Sequence, residues 1–187
     1  MAAAAAVVDL TQEEEEEEVP VEFTLNMNLH PKPSISYGRG RGGPIRPFFN
    51  NAYRQQKTHF QQLTAAALGP RFSMYEKSVP LSLKIWCLMA RPEDDFVGRN
   101  RRVGNLKPTA LTNEKTMVPI RPDTDNLAKF ILDALTGVLF LDDCQVVELH
   151  MLKMRDTFGL CTGRVVIRCQ KFSNGWRSVL PAQVTMD

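Results

Sequence analysis

The chain lacks the features that define several large protein classes. Only four of its 187 residues are cysteine, and none of them form a CxxC pair or a zinc-finger spacing. No apolar run approaches the roughly 20 residues that a membrane-spanning helix needs. The first twenty residues contain no lysine or arginine and show no secretory signal. We therefore expect an intracellular protein with reduced cysteines and no membrane partner.

Charge is distributed unevenly along the chain. The net charge is only +2, yet residues 1–20 carry seven acids, Asp9 and Glu13–Glu18. Residues 21–187 consequently hold 23 basic and 14 acidic side chains, a net charge of +9. A basic body of this kind suits a polyanionic partner such as nucleic acid.

Residues 1–20 combine an alanine run with six consecutive glutamates, which is typical of a disordered acidic tail. One interpretation is a solubilising segment. The alternative is that part of residues 7–18 resembles a SUMO-interacting motif, in which a short extended segment adds to a sheet edge. The residues of that motif are Val7, Val8, Asp9 and Leu10. Under this alternative we expect SUMO as a partner and, for a eukaryotic source, a nuclear location.

The hydrophobic pattern predicts a single α+β domain over residues 21–171. Alternating or continuous apolar patterns predict strands at residues 21–29, 79–90, 146–154 and 160–171. The last two, joined by a short turn, are interpreted as an antiparallel hairpin. Helical spacing predicts one helix from Pro47 to Gly69 and another from an N-cap at Asp125 to Gly137. Two helices against a mixed sheet are expected, followed by a C-terminal extension, residues 172–187.

Two irregular basic segments separate the predicted elements. Residues 30–47 are rich in glycine and proline, which predicts a mobile loop. Residues 92–119 are long for a connection without secondary structure, so disorder or a function is expected there. Each is either a plain connector or a phosphate-binding arm, because guanidinium groups on a flexible backbone can follow nucleic acid. The candidate DNA-binding residues are Arg39, Arg41, Arg46, Arg99, Arg101 and Arg102.

Residues 121–146 concentrate five aspartates around one lysine. Like charges a few ångströms apart raise one another's pKa, so such a cluster either faces water or holds a hard cation. Asp125, Lys129 and Asp133 fall at i, i+4 and i+8 on one face of the predicted helix. We expect the start of the next strand to return Asp143 to the helix start, where three carboxylates and the lysine converge.

Aspartate oxygens are hard ligands that suit Mg²⁺ or Mn²⁺ rather than zinc. Asp123 and Asp125 in an extended segment are expected to point the same way and, with Asp143, to hold one or two ions. Lys129 can contact a scissile phosphate, because phosphodiester hydrolysis adds negative charge in the transition state. Structural alternatives stay open for single residues: an N-cap for Asp125, an ion pair with Lys129 for Asp133, and a turn for Asp142 and Asp143.

Three motifs are spaced along this stretch. Asp-x-Asp-Asn-Leu-x-Lys stands at residues 123–129, Asp-Ala-Leu at 133–135 and Asp-Asp-x-Gln-Val at 142–146. Together they resemble the RusA family of Holliday-junction resolvases, and the element order over residues 21–171 is also similar. The chain departs from that family in its acidic tail, its RGRGG segment and its longer loop at residues 92–119. The resemblance implies a RusA-like α+β fold.

The resemblance further implies a Mg²⁺-dependent homodimer that binds four-way DNA junctions and nicks two opposed strands symmetrically during recombination and repair. It implies that Asp123, Asp125 and Asp143 are metal ligands and that Lys129 is an essential lysine. Supporting roles are assigned to Asp133, Asp142 and Gln145. Two alternatives are a branched-DNA-binding protein that recruits partners through its acidic tail without cleaving, and a nuclease that prefers flaps or other branched DNA.

Overall fold

The computed structural model describes most of the chain. The described residues are 19–29, 35–39, 45–49, 51–99, 103–117, 119, 121–157 and 161–172, with 35–39 and 45–49 described by their backbone. The predicted motif in residues 7–18, the side chains of five of the six candidate DNA-binding residues, and residues 173–187 of the C-terminal extension lie outside them. No helix among the described residues is long and apolar enough to cross a membrane.

A four-stranded mixed sheet forms the centre of the fold. Its strands stand in the order β1-β6-β4-β5. Their bounds are Val21–Leu25 for β1, Leu81–Met89 for β4, Val146–Arg155 for β5 and Arg164–Lys171 for β6. β6 pairs antiparallel with β1 and β4, whereas β5 pairs parallel with β4. β4 therefore lies inside the sheet and is buried along most of its length.

The predicted antiparallel hairpin of the last two strands is wrong. β4 lies between β5 and β6, and it pairs with β5 in parallel and with β6 in antiparallel orientation. The connection crosses the end of β4, where the Asp156 N–H donates to the Met89 carbonyl at 2.7 Å. Arg91 N–H donates to the Cys161 carbonyl on the way back, at 3.0 Å. Alternating apolar residues identify the two strands, but the choice of neighbour depends on which strand edges the rest of the chain leaves open.

Two helices pack against the sheet. α1 spans Asn51–Leu68 and α3 spans Thr124–Leu135; α2, Asn113–Thr116, is a single short turn. The Phe130 ring meets the rings of Tyr53 and Phe60 edge to face, with centroid distances of 5.4 and 5.9 Å. These rings belong to the same core as the buried side chains of β4. The α+β class with a mixed sheet is confirmed.

The glycine- and proline-rich segment contains a second, two-stranded sheet. β2, Ile35–Arg39, pairs antiparallel with β3, Ile45–Phe49. The prediction of a loop over residues 30–47 is therefore wrong for eight of them, residues 35–39 and 45–47. The predicted helix start at Pro47 is wrong as well, because Pro47 lies inside β3 and pairs with Tyr37.

Residues 92–119 are organised around a buried arginine. The guanidinium of Arg91 donates to the Asp156 carbonyl at 2.8 Å, to Asp95 Oδ2 at 3.1 Å, to the Ala110 carbonyl at 2.7 Å and to Thr116 Oγ1 at 3.2 Å. The segment forms three short 3-10 turns, Glu93–Asp95, Val103–Asn105 and Pro108–Leu111, before α2. A small apolar cluster of Phe96, Leu106, Ala110 and Cys161 lies beside them. Over its described residues the segment is thus folded, not structureless.

Candidate active site

α3 begins directly after Asp123. This residue occupies the N-cap position in an extended conformation, and its carbonyl accepts the first helical hydrogen bond, from Leu127 N–H at 3.1 Å. Asp125 lies in the first helical turn. The predicted N-cap at Asp125 is therefore wrong, as is the extended segment that was expected to hold both aspartates. The unpaired N–H groups at this helix start favour negative charge.

Asp123, Asp125 and Lys129 project their side chains into solvent. Within the part of the chain that the structure describes, none of the three makes a side-chain hydrogen bond or an ion pair. Lys129 follows Asp125 by one helical turn, so the ammonium lies on the same side of the helix as that carboxylate. Two acids and one lysine are thereby left available to a ligand from outside.

Asp133 has a structural partner instead. The Tyr53 hydroxyl donates to Asp133 Oδ2 at 2.7 Å and so joins α1 to α3. Burial, followed by the neighbouring Asp133 carboxylate, raises the pKa of Tyr53 well above its usual range. The alternative of an ion pair between Asp133 and Lys129 is wrong, and the supporting role of Asp133 is to hold the two helices together.

Gln145 closes the turn that precedes β5. Its side-chain oxygen accepts hydrogen bonds from the N–H groups of Leu141 at 3.0 Å and Asp142 at 3.1 Å. Its amide nitrogen donates to the carbonyls of Glu76 at 2.7 Å and Val79 at 3.2 Å. Four backbone groups are satisfied by one buried side chain, so Gln145 fixes the turn to the segment that leads into β4.

Asp142 caps the 3-10 turn Asp143–Gln145 and forms a capping box with it. Its carboxylate accepts a hydrogen bond from the Cys144 N–H at 3.1 Å, and this bond lowers the pKa of Asp142. Asp143, the next residue, is exposed at the start of the turn. Asp142 and Gln145 thus build the turn, while Asp143 is presented to solvent.

The structure separates Asp143 from the other two candidate ligands. β4, α3 and β5 form a parallel βαβ unit, in which the helix runs opposite to its strands. Lys153, near the end of β5, donates to the Pro122 carbonyl beside the start of α3 at 2.8 Å. Asp143 follows the other end of α3, whose 12 residues extend about 18 Å.

The expected convergence of all three aspartates within one chain is therefore wrong. A strand that follows a helix in a βαβ unit starts at the far end of that helix, so it cannot return Asp143 to the helix start. In keeping with this geometry, the described residues contain no group of three or more histidine, cysteine, aspartate or glutamate side chains able to hold a metal ion.

A protein-family model described as Endodeoxyribonuclease RusA matches residues 28–169. The chain belongs to the RusA endodeoxyribonuclease family. The match spans the three motifs and every described strand except β1 and the end of β6, so it confirms the resemblance and the RusA-like α+β fold. No curated protein matches the chain closely enough to be recognised as a relative. RusA endodeoxyribonucleases act on branched DNA junctions.

The donor atoms of this RusA chain suit a hard cation at the start of α3. Asp123 and Asp125 offer carboxylate oxygens, which are the ligands that Mg²⁺ and Mn²⁺ prefer. Both carboxylates are exposed and lack a protein cation at bonding distance among the described residues. The chain on its own supplies two of the three expected ligands at this place.

The candidate DNA-binding arginines are only partly described. Arg99 is exposed beside the 3-10 turns. The backbones of Arg39 and Arg46 belong to β2 and β3. Arg41, Arg101 and Arg102 lie outside the described residues, and DNA contact by the whole set stays a prediction.

Sequence reasoning missed Lys153, whose contact with Pro122 connects β5 to the site. The available signal was a lysine in a mainly apolar strand; in the structure it pairs with the buried Cys87 of β4. Cross-strand partners share a face of the sheet, so this lysine lies on the helix side.

Proposed function

We propose that the chain is a Mg²⁺-dependent, structure-selective endodeoxyribonuclease that resolves four-way DNA junctions by paired symmetric nicks. The observation that carries the proposal is the start of α3, where Asp123, Asp125 and Lys129 are exposed and have no partner among the described residues. In the same chain Asp133, Asp142 and Gln145 are committed to structural hydrogen bonds. Membership of the RusA family supplies the reaction class.

Each residue at the helix start has a defined task in phosphodiester hydrolysis. Asp123 and Asp125 would hold the cation, and a bound Mg²⁺ supplies Lewis-acid stabilisation of the charge that develops on the phosphate. Lys129, one turn further along, places an ammonium beside the same phosphate and offsets part of that charge.

A homodimer accounts for the position of Asp143. β5 is a ten-residue strand at the edge of the sheet, and its outer edge pairs with no strand among the described residues. Val147, Leu149 and Leu152 are exposed along it. A long edge strand with exposed apolar side chains readily pairs with a second strand, so β5 is a suitable dimer contact.

The symmetry of such a dimer would complete the site. Antiparallel pairing of β5 with its copy about a two-fold axis puts the start of one β5 beside the end of the other. The end of β5 lies beside Pro122, as the Lys153 contact shows. Asp143 of the partner subunit would then approach Asp123 and Asp125. Two sites related by a two-fold axis also suit two symmetric nicks.

The experiment that tests the proposed function is cleavage of a four-way junction, a flap and a linear duplex, each in Mg²⁺ and in EDTA. We expect paired nicks in the junction with Mg²⁺ and none in EDTA. Asp125→Asn and Asp143→Asn should each lower the rate by about 100-fold or more. Asp94→Asn is the matched control, because Asp94 is an exposed aspartate of the segment at residues 92–119.

Other outcomes would favour the alternatives. Faster cleavage of the flap than of the junction would make the chain a nuclease for other branched DNA. Junction binding in EDTA without nicking in any divalent cation would make it a non-cleaving protein that recruits partners. In that case deletion of residues 1–18 followed by a SUMO-binding measurement would test the proposed tail motif.

A further inference from the structure

Lys153 is a half-buried charged side chain on the face of β5 that carries core residues. It lies on β5 opposite Cys87, a core residue with 1% exposure, and Met151 on the same face packs against the main core. Burial raises the pKa of the Cys87 thiol to about 12, and the positive charge of Lys153 opposes part of that rise. The ammonium of Lys153 is therefore close enough to the core to affect a buried side chain.

The ammonium reaches from the strand to the segment that carries the first candidate metal ligand. Its Nζ donates to the Pro122 carbonyl at 2.8 Å, and Pro122 directly precedes Asp123. Asp123 has no side-chain hydrogen bond that could fix it at the N-cap. The hydrogen bond from Lys153 therefore connects the Pro122 carbonyl to strand β5 of the sheet.

A lysine at this place has a cost that an apolar side chain would not have. Moving an ammonium out of water is unfavourable unless hydrogen bonds or nearby negative charge compensate for it. A leucine or methionine would fill the same position against Cys87 without that penalty. The hydrogen bond to the Pro122 carbonyl is part of that compensation, and it is made to the residue directly before Asp123.

We propose that Lys153 is a positioning residue of the nuclease site, which fixes the Pro122–Asp123 segment through its hydrogen bond to the Pro122 carbonyl. This inference rests on the proposed function. It assigns to Lys153 a role distinct from that of Lys129: Lys129 is exposed and faces the substrate, whereas Lys153 is half-buried and acts through the backbone. Its loss weakens cation binding at Asp123 and Asp125 before it affects anything else in the reaction.

Three variants separate positioning from a purely structural role. Lys153→Met removes the bond and the charge but keeps the apolar stem, and Lys153→Arg keeps a cation that can reach the carbonyl. Lys84→Met is the matched control, because Lys84 is an exposed lysine on the neighbouring strand β4. For each variant we would measure urea unfolding without metal, the rise of the melting temperature with added Mn²⁺, and the Mg²⁺ concentration for half-maximal junction cleavage.

We expect Lys153→Met to need about tenfold more Mg²⁺ and to lose most of the Mn²⁺-dependent rise in melting temperature, because the carboxylate that binds the cation is no longer held. Lys153→Arg should recover much of both, and Lys84→Met should match the wild type. If Lys153→Met does not fold, Lys153→Gln replaces it in the same comparison.

Two results would overturn the inference. One is a Lys153→Met protein that is less stable but has an unchanged Mg²⁺ requirement and Mn²⁺ response, because the role is then structural only. The other is a protein unchanged in all three measurements. A wild type that cuts no DNA but is stabilised by Mn²⁺ refutes the proposed function alone, and the Mn²⁺ comparison then still decides the role of Lys153.

Discussion

Tyr53 of α1 and Asp133 of α3 are joined by a hydrogen bond of 2.7 Å between the hydroxyl and Oδ2. The bond lies next to the edge-to-face contact of Tyr53 with Phe130, so one residue packs and links the helices at the same time. Asp133 is only two turns from Asp125, which has no partner among the described residues. On the same helix, Asp133 therefore stabilises the fold, whereas Asp125 stays available for the candidate site.

Tyr53→Phe should lower the free energy of unfolding by about 1 to 2 kcal/mol, because a hydrogen bond to a carboxylate is lost while the ring remains. Urea unfolding measures this change. The Mg²⁺ requirement for cleavage should stay at the wild-type value, since the bond is remote from Asp123. A shifted Mg²⁺ requirement with unchanged stability would place Tyr53 in the site instead.

The same bond predicts a loss of stability in alkali. The pKa of Tyr53 is raised in the folded protein, from an ordinary value of 10.0. The neutral hydroxyl is thus favoured by folding, so the contribution is complete below pH 10.0 and is lost as the pH rises toward the higher folded pKa. Above pH 10.0, the free energy of unfolding measured in urea should fall more steeply with pH for the wild type than for Tyr53→Phe. Parallel pH dependences of the two proteins would contradict this.

Arg91→Met should be among the most destabilising single substitutions, by about 3 to 5 kcal/mol, because it leaves the buried Asp95 carboxylate and two carbonyls without their donor. Limited proteolysis should then cut within residues 92–119 before it cuts the rest of the domain. Arg99→Met, at an exposed position of that segment, is the control and should resist proteolysis like the wild type. Equal resistance of Arg91→Met would mean that other contacts hold the segment.

Gln145→Ala and Asp143→Asn, two positions apart, should affect different properties: the first should lower stability and the second should abolish cleavage. The alanine variant removes four hydrogen bonds to backbone groups and should lower the free energy of unfolding by about 2 to 3 kcal/mol. The asparagine variant should unfold like the wild type but lose junction cleavage. Thermal unfolding and a cleavage assay on both proteins check the pair. A strongly destabilised Asp143→Asn would assign that aspartate to the turn.

The sequence was sufficient to predict where strands and helices lie, but not which strands pair or which side chains meet. Apolar alternation located β1, β4, β5 and β6, and Gly137, which has a positive φ of 78°, ends α3 as its type suggests. The pairing of β5 and β6 could not be deduced, because a short turn signal is compatible both with a hairpin and with a crossing over the end of β4. Likewise, i, i+4 spacing suggested Lys129 for Asp133, whereas the nearer partner came from α1.

The same limit applies to the candidate site, whose local residues were predictable and whose long-range contacts were not. Its residue types and spacing identified Asp123, Asp125 and Lys129. Their relation to Asp143 depends on the direction of α3 relative to β5, and a parallel βαβ unit fixes that direction only once the strand pairing is known. Lys153 was missed for the same reason, since its contact joins segments that are 31 residues apart.

Subunit mixing tests whether Asp125 of one chain and Asp143 of the partner subunit form one Mg²⁺-dependent nuclease site. Asp125→Asn and Asp143→Asn proteins, each inactive alone, are unfolded together, refolded as a mixture and given a four-way junction. A mixed dimer then contains one site with both substitutions and one intact site. If the two aspartates share a site in this way, the mixture nicks the junction on one strand. A mixture that stays inactive, although each variant forms mixed dimers with the wild type, would contradict it.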